Sequence, residues 1–328
     1  MKTLITGGVG AVGYFLAKNL ADQGQEVIIV DNLIRGELGQ EVRSLLKKPN
    51  VSLIKADIID RRQVEKLPRD CDYVYHLAMI NATGIFYERP VDILRIGVLG
   101  TFNILEWFKN NKKGKILFTS SNELYASWIK LTGNPLPTPE LVPLCIEDSS
   151  NPRWSYAGSK IIGEIAFFNY AKTFGFPMSI VRYHNSYGPR MGFGHVIPDF
   201  ILRILKKEEP FKVFGAENTR AFCYITDTIR ASQLIMESEK TNGEIIHIGN
   251  DKEEISMLNL AKKMFELFNY QPKKIEIHSA PKGSVLRRCP DLTKIGKLTG
   301  YEPSVDLNEG LKRTWDWYKE NLTKIKLE

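Results

Sequence analysis

Cysteine is scarce and scattered. The four residues, Cys71, Cys145, Cys223 and Cys289, include no Cys-x-x-Cys pair, which removes zinc-ribbon and dithiol-redox readings and points to a reducing, cytoplasmic setting. No stretch approaches the roughly 18 apolar residues a membrane span needs, and Met1-Lys2-Thr3-Leu4-Ile5-Thr6 enters a strand pattern without a leader-like apolar stretch. Dense basic blocks are missing too. The net charge is +7, but the basic pairs Lys47-Lys48 and Lys112-Lys113 are short, so the cations suit a small anion better than nucleic acid or a membrane surface. Neither an internal repeat nor a low-complexity tail is present. What remains, 43% hydrophobic and 25% charged over 328 residues, is the composition of a globular chain with one large domain or two lobes.

Apolar runs alternate with amphipathic patterns through the first half. Strands are expected at Lys2–Thr6, Glu26–Asp31, Val51–Lys55, 73–77, 115–119 and Met178–Tyr183, and helices at 11–23, 37–47, 61–67, 91–110 and 152–174. The strand runs are rich in Ile, Val and Leu rather than alternating, as strands covered on both faces should be. The fold class expected is α/β: a Rossmann-type doubly wound parallel sheet with a smaller C-terminal α/β lobe for substrate. Residues 1–183 with about 225–250 form the first lobe in this reading, and 184–224 with 251–328 the second. Further strands are expected at Phe211–Phe214, 222–225 and Glu244–Ile248, and a helix at 228–238. Residues 126–151, with Pro135, Pro137, Pro139 and Pro143, read as a long loop bordering a site.

Thr6-Gly7-Gly8-Val9-Gly10-Ala11-Val12-Gly13 follows the first strand and opens a helix. Gly7, Gly10 and Gly13 permit a tight turn, close approach to a pyrophosphate and close helix–strand packing, and Ala11 and Val12 offer N–H groups at the helix start. Asp31, with Asn32 after it, ends the second strand at the distance of about 20 residues where an acid accepts hydrogen bonds from both ribose hydroxyls. That argues for NAD over NADP, with Arg35 close enough to soften the preference. Asp57 and Ile58 are placed to meet adenine, although Asp57 as a helix N-cap explains the residue equally well. Leu77 and Ala78 should line the cofactor, and His76 reads as a packed histidine.

Tyr156 and Lys160 lie one helical turn apart, on one helix face. An ammonium beside a phenol favours phenolate, so Lys160 is expected to lower the Tyr156 pKa and make a proton shuttle. At this point the sequence resembles the extended short-chain dehydrogenase/reductase family, in particular its nucleotide-sugar epimerases, dehydratases and decarboxylases. The resemblance runs nearly end to end, from Thr6-Gly7-Gly8 to Cys289-Pro290-Asp291 and the closing helix, with the motifs in the family's order.

The resemblance implies a Ser121–Tyr156–Lys160 triad. Tyr156 would take a proton from a sugar hydroxyl, typically at C4, Ser121 would hydrogen-bond that oxygen, and Lys160 would hold the nicotinamide ribose. Ser121 as a plain strand-end cap is the bland reading. Glu123, in Ser121-Asn122-Glu123-Leu124-Tyr125, matches a segment of sugar dehydratases and decarboxylases, where a glutamate moves protons beside the new ketone; pairing with a nearby Arg or Lys is the equal alternative. Asn185, Arg220 and Arg288 match positions that grip the substrate's diphosphate, and His195 and Val196 should start the helix that lines the base pocket. The chain departs from the family at Gly97, in place of an asparagine, at Met79, in place of an alanine, and at Ala126, in place of a glycine.

The function expected is an NAD-dependent nucleotide-sugar enzyme that oxidises a hexose at C4, leaning to dehydration, with 4-epimerisation, decarboxylation or net C4 oxidation as alternatives. A non-catalytic NAD-binding sensor or scaffold is the rival of another class, and an RNA-binding protein on the same fold a weaker one. The partner implied is a nucleotide-diphosphate sugar, with no metal, nucleic acid or membrane. A homodimer is implied through a four-helix bundle of the helices at 91–110 and 152–174.

Overall fold

The computed structural model describes residues 1–34, 38–81, 83–132, 136–280 and 284–321. Arg35 and Pro135 lie outside the described residues. Six strands, β1 (Lys2–Thr6), β2 (Glu26–Asp31), β3 (Val51–Lys55), β4 (Tyr73–His76), β5 (Lys115–Ser121) and β6 (Met178–Tyr183), join Glu244–Ile248 in a seven-stranded sheet. Its order is Glu244–Ile248, β6, β5, β4, β1, β2, β3, and every pairing is parallel.

Alternation within the strands explains why both faces are covered. Ile5, Val27, Ile29, Leu117 and Val181 pack into one apolar cluster, with the Ala11–Asp22 and Ile225–Glu237 helices. Their neighbours Leu4, Ile28, Val30, Ile116, Phe118 and Ile180 pack into the other, with the Thr101–Phe108 and Trp154–Phe174 helices. Successive side chains point to opposite faces, so runs apolar at every position serve two cores.

From β1 the chain winds one way through β2 and β3 and the other way through β4, β5 and β6. The reversal opens a crevice at the carboxyl ends of β1 and β4, where ligands bind in open α/β sheets.

Beyond β6 the chain builds smaller sheets. Thr219–Ala221 lies between Glu254–Ser256 and Arg287–Arg288, and Phe211–Phe214 pairs with Ile275–His278. The Val196–Leu205, Met257–Leu267 and Leu307–Asn321 helices pack into the same apolar cluster as the Ala11–Asp22 helix.

Two expectations change. The stretch read as a loop from residue 126 begins with a helix, Ala126–Thr132, whose Ala126, Ser127 and Ile129 are buried; tertiary burial overrode the proline signal that follows. The helix expected over 91–110 is three pieces: Pro90–Leu94, a wider π turn at Arg95–Gly100, and Thr101–Phe108. Gly97 sits in that π turn against the Trp154–Phe174 helix, where a Cβ would overlap the Ser159 hydroxyl and come within 3.3 Å of Met79 Cε. Ser159 and Met79 thus fill the space of the missing asparagine.

Candidate active site

All the residues picked from the sequence line one cavity of about 780 Å³ at the crevice. The glycine turn forms one wall. Gly7 has φ +71°, and a Cβ there would sit 2.7 Å from Ala78 Cα, so only glycine lets the turn close against the end of β4. Gly10 caps the Ala11–Asp22 helix with no side-chain hydrogen bond, leaving the first N–H groups open to an anion. The Asp31 carboxylate accepts from Val9 N at 3.1 Å and Leu33 N at 2.9 Å, which fixes it at the rim. Asp57 accepts from Asn32 Nδ2 at 3.1 Å and from Ile59 N at 2.9 Å, while Asp60 is the helix N-cap. This cradle, with Leu77, Ala78 and Ile58 completing it, fits NAD. His76 is buried between Thr6 Oγ1 (2.8 Å) and Thr101 Oγ1 (3.2 Å), and burial pulls its pKa down to about 3, as a packed neutral histidine requires.

The chemical wall comes from β5 and the Trp154–Phe174 helix. Glu164 on that helix accepts from Arg182 Nε at 2.8 Å and Nη2 at 2.7 Å, and from Ser120 Oγ at 2.6 Å, so β5, β6 and the helix are tied together where Ser121 meets Tyr156. Ser121 Oγ accepts from Glu123 N at 3.2 Å, and the residue lines the same cavity as Tyr156, so it caps and faces the site at once.

The expected lowering of the Tyr156 pKa is absent. Burial pushes it up to about 12, opposed by the Ser121 hydroxyl and reinforced by the Glu123 charge. The reason is where the ammonium points. Lys160 Nζ donates to Thr119 O at 2.6 Å and lies 4.7 Å from the Phe118 ring centre, against 5.9 Å from that of Tyr156. Burial lowers the Lys160 pKa to about 7, which weakens its pull on the phenol. Phe86 stacks on the Tyr156 ring at 5.0 Å.

Glu123 takes the paired alternative. Its Oε1 accepts from Arg288 Nη1 at 2.6 Å and its Oε2 from Arg153 Nη2 at 3.1 Å. Burial alone would raise its pKa, yet Arg288, Arg153 and Arg220 together lower it to about 2. Arg220 donates to the Thr219 and Val285 carbonyls at 2.6 and 3.0 Å, and Asn185, at φ +38°, to Ala221 O at 3.3 Å. His195 is the uncapped N-cap of the Val196–Leu205 helix, with its Nε2 3.2 Å from Asn81 O. Arg153 and Phe86 escaped the sequence reading. Arg153 stands three residues before Tyr156, a spacing that places it beside the phenol on a helix but says nothing of its ion pair with Glu123.

Comparison with known proteins agrees with this geometry. A family model described as the NAD dependent epimerase/dehydratase family matches residues 3–249. The chain is 33% identical to the UDP-N-acetyl-alpha-D-glucosaminuronate decarboxylase of Bacillus cytotoxicus, over 97% of this chain and 98% of that one. Among solved structures it resembles a UDP-glucose 4-epimerase from Thermotoga maritima (TM-score 0.86, 29% identity, covering 98% of this chain and 100% of that one). It also resembles the dTDP-glucose 4,6-dehydratase DesIV of Streptomyces venezuelae, solved with NAD bound (TM-score 0.89, 25% identity, 99% of both chains). With the glycine cradle, the Asp31 carboxylate and the Ser–Tyr–Lys wall on one crevice, this chain belongs to the NAD dependent epimerase/dehydratase family and is an NAD-dependent enzyme.

Proposed function

We propose that the protein oxidises a nucleoside-diphosphate hexuronate at C4 and releases its C6 carboxyl as carbon dioxide. Glu123 carries this reading. A carboxylate held at a pKa of about 2 between two guanidiniums is a poor base, so the C5 proton abstraction that dehydration needs lacks its acceptor. Decarboxylation needs none. Once C4 is a ketone, the C6 carboxylate is β to it; the C5–C6 bond breaks, its electron pair passes to the C4 oxygen as an enolate, and C5 is then protonated. The surplus of positive charge from Arg153, Arg220 and Arg288 suits both a diphosphate and a sugar carboxylate. The likeness to a uronate decarboxylase over nearly all of both chains supports the same reading.

Bound NAD supplies the hydride acceptor at C4. Tyr156 takes the C4 hydroxyl proton and Ser121 hydrogen-bonds the same oxygen. For the phenolate to form, Lys160 turns from the Thr119 carbonyl toward the ring it lies beside. Asn185 and Arg220 grip the diphosphate, and His195 and Val196 border the base. The four free cysteines support a cytoplasmic setting. A homodimer is part of the reading: Val91, Leu94, Leu99, Phe102, Ile162, Ile165 and Phe168 are exposed apolar residues on the two long helical segments.

Incubation of the protein with a panel of nucleotide sugars and uronates, with products identified by mass and NMR, tests the reaction. Loss of carbon dioxide from a uronate is the expected result. Loss of water, or an unchanged mass with C4 inverted, would overturn it in favour of dehydration or epimerisation; the Thermotoga maritima structure makes epimerisation the second reading.

A further inference from the structure

Glu123 is one negative charge among three guanidiniums. Arg153 and Arg288 are 6% and 7% exposed, yet Arg153 Nε and Arg288 Nε and Nη2 have no hydrogen-bond partner. Buried donors are rarely left so, because each forfeits its hydration for nothing. Both side chains line the cavity that holds Ser121 and Tyr156. Arg153 is the informative one. It stands three residues before Tyr156 at the start of the same helix, so its charge belongs to the reacting end of the cavity.

We propose that Arg153 selects a carboxylated sugar: with Arg288 it forms a carboxylate subsite, and Glu123 is the counterion that stays paired with both guanidiniums and offsets part of their charge. The proposal rests on the uronate reading above. An incoming carboxylate takes the unpartnered nitrogens of Arg153 and Arg288, and the planar fork of each guanidinium matches its two oxygens. A neutral hexose leaves those nitrogens as they are, so selection comes from the polar groups it fails to satisfy.

The test is calorimetric binding to the NAD-loaded protein, with UDP-glucuronic acid, UDP-glucose and UDP as probes. The wild type should bind the acid roughly tenfold more tightly than the neutral sugar, the size of one charge-assisted contact. Arg153→Gln should lose that margin while UDP-glucose and UDP bind as before. Arg153→Lys keeps the charge without the fork and should retain part of the margin; it also serves if the Gln variant does not fold. Glu123→Gln should tighten the acid by removing the charge that offsets the two guanidiniums. Equal wild-type affinity for acid and neutral sugar, or an equal loss of all three probes in Arg153→Gln, overturns the proposal. Product mass separates the two readings. Carboxylate selection without carbon dioxide release sinks the decarboxylase reading alone, and carbon dioxide release indifferent to Arg153 sinks the subsite alone.

Discussion

Replacing Glu123 by Gln should destabilise the empty enzyme far more than a change of one oxygen for one nitrogen suggests. The carboxylate is 17% exposed and holds Arg288 and Arg153 at 2.6 and 3.1 Å. A pKa drawn down from 4.5 to about 2 means the protein favours the ionised form by roughly 3 kcal/mol, at about 1.4 kcal/mol per pKa unit. Breaking a buried ion pair by removing one partner costs about 3–5 kcal/mol, because the charges left behind are uncompensated. The two routes agree on about 3 kcal/mol, which lowers the melting temperature by roughly 4–5 °C for a chain of 328 residues, at about 2.1 cal/mol/K of unfolding entropy per residue. The assay is thermal unfolding at neutral pH and low salt, with and without UDP-glucuronic acid. The anion should restore more stability to Glu123→Gln than to the wild type, since it replaces the missing charge. A variant melting with the wild type, or one that gains nothing extra from the anion, refutes the picture of Glu123 as the counterion of the arginines.

Three further outcomes are expected of the same site and fold. Tyr156→Phe should lower turnover by roughly 10²–10⁴-fold while still binding NAD, read as loss of the near-ultraviolet absorbance change on adding nucleotide sugar; normal turnover would end the proton-shuttle mechanism. Stability should fall on acidification below about pH 6.5: burial holds His76 and His247 at a pKa of about 3 and His184 well below its ordinary value, so the unfolded chain binds more protons through that window. Denaturant midpoints flat between pH 7 and pH 4 would contradict this. Gly97→Asn should cost about 1–3 kcal/mol through overlap with the Ser159 hydroxyl, and Ser159→Gly should recover part of the loss; additive destabilisation in the double variant would show that the two positions do not collide.

The central sheet was readable because its signals are local. An uninterrupted apolar run bounded by turns marks a doubly covered strand, and β1, β2, β3 and β6 stand where their runs do. The glycine turn was readable for a related reason: close backbone approach leaves a mark on residue type, at Gly7 above all. Where the expectation missed, a distant partner decided. The wider turn at Arg95–Gly100 packs Gly97 against Ser159, 62 residues on, and the helix at Ala126–Thr132 buries its inner face.

The site divides in the same way. Sequence alone placed the glycine turn, Asp31 and the Tyr156–Lys160 pair at the crevice, because strand ends, helix starts and one-turn spacings fix where side chains can emerge; Ser121, Glu123, Asn185, Arg220 and Arg288 were expected there from the family resemblance, and Arg153 and Phe86 were not expected at all. It could not determine their charge states. Lys160 turns to a carbonyl 41 residues away, and Glu123 meets arginines 30 and 165 residues away. Proximity of that kind is created only when the chain closes on itself. Burial and charge then act together, so the tertiary structure decided that Tyr156 is raised, Lys160 lowered and Glu123 kept ionised.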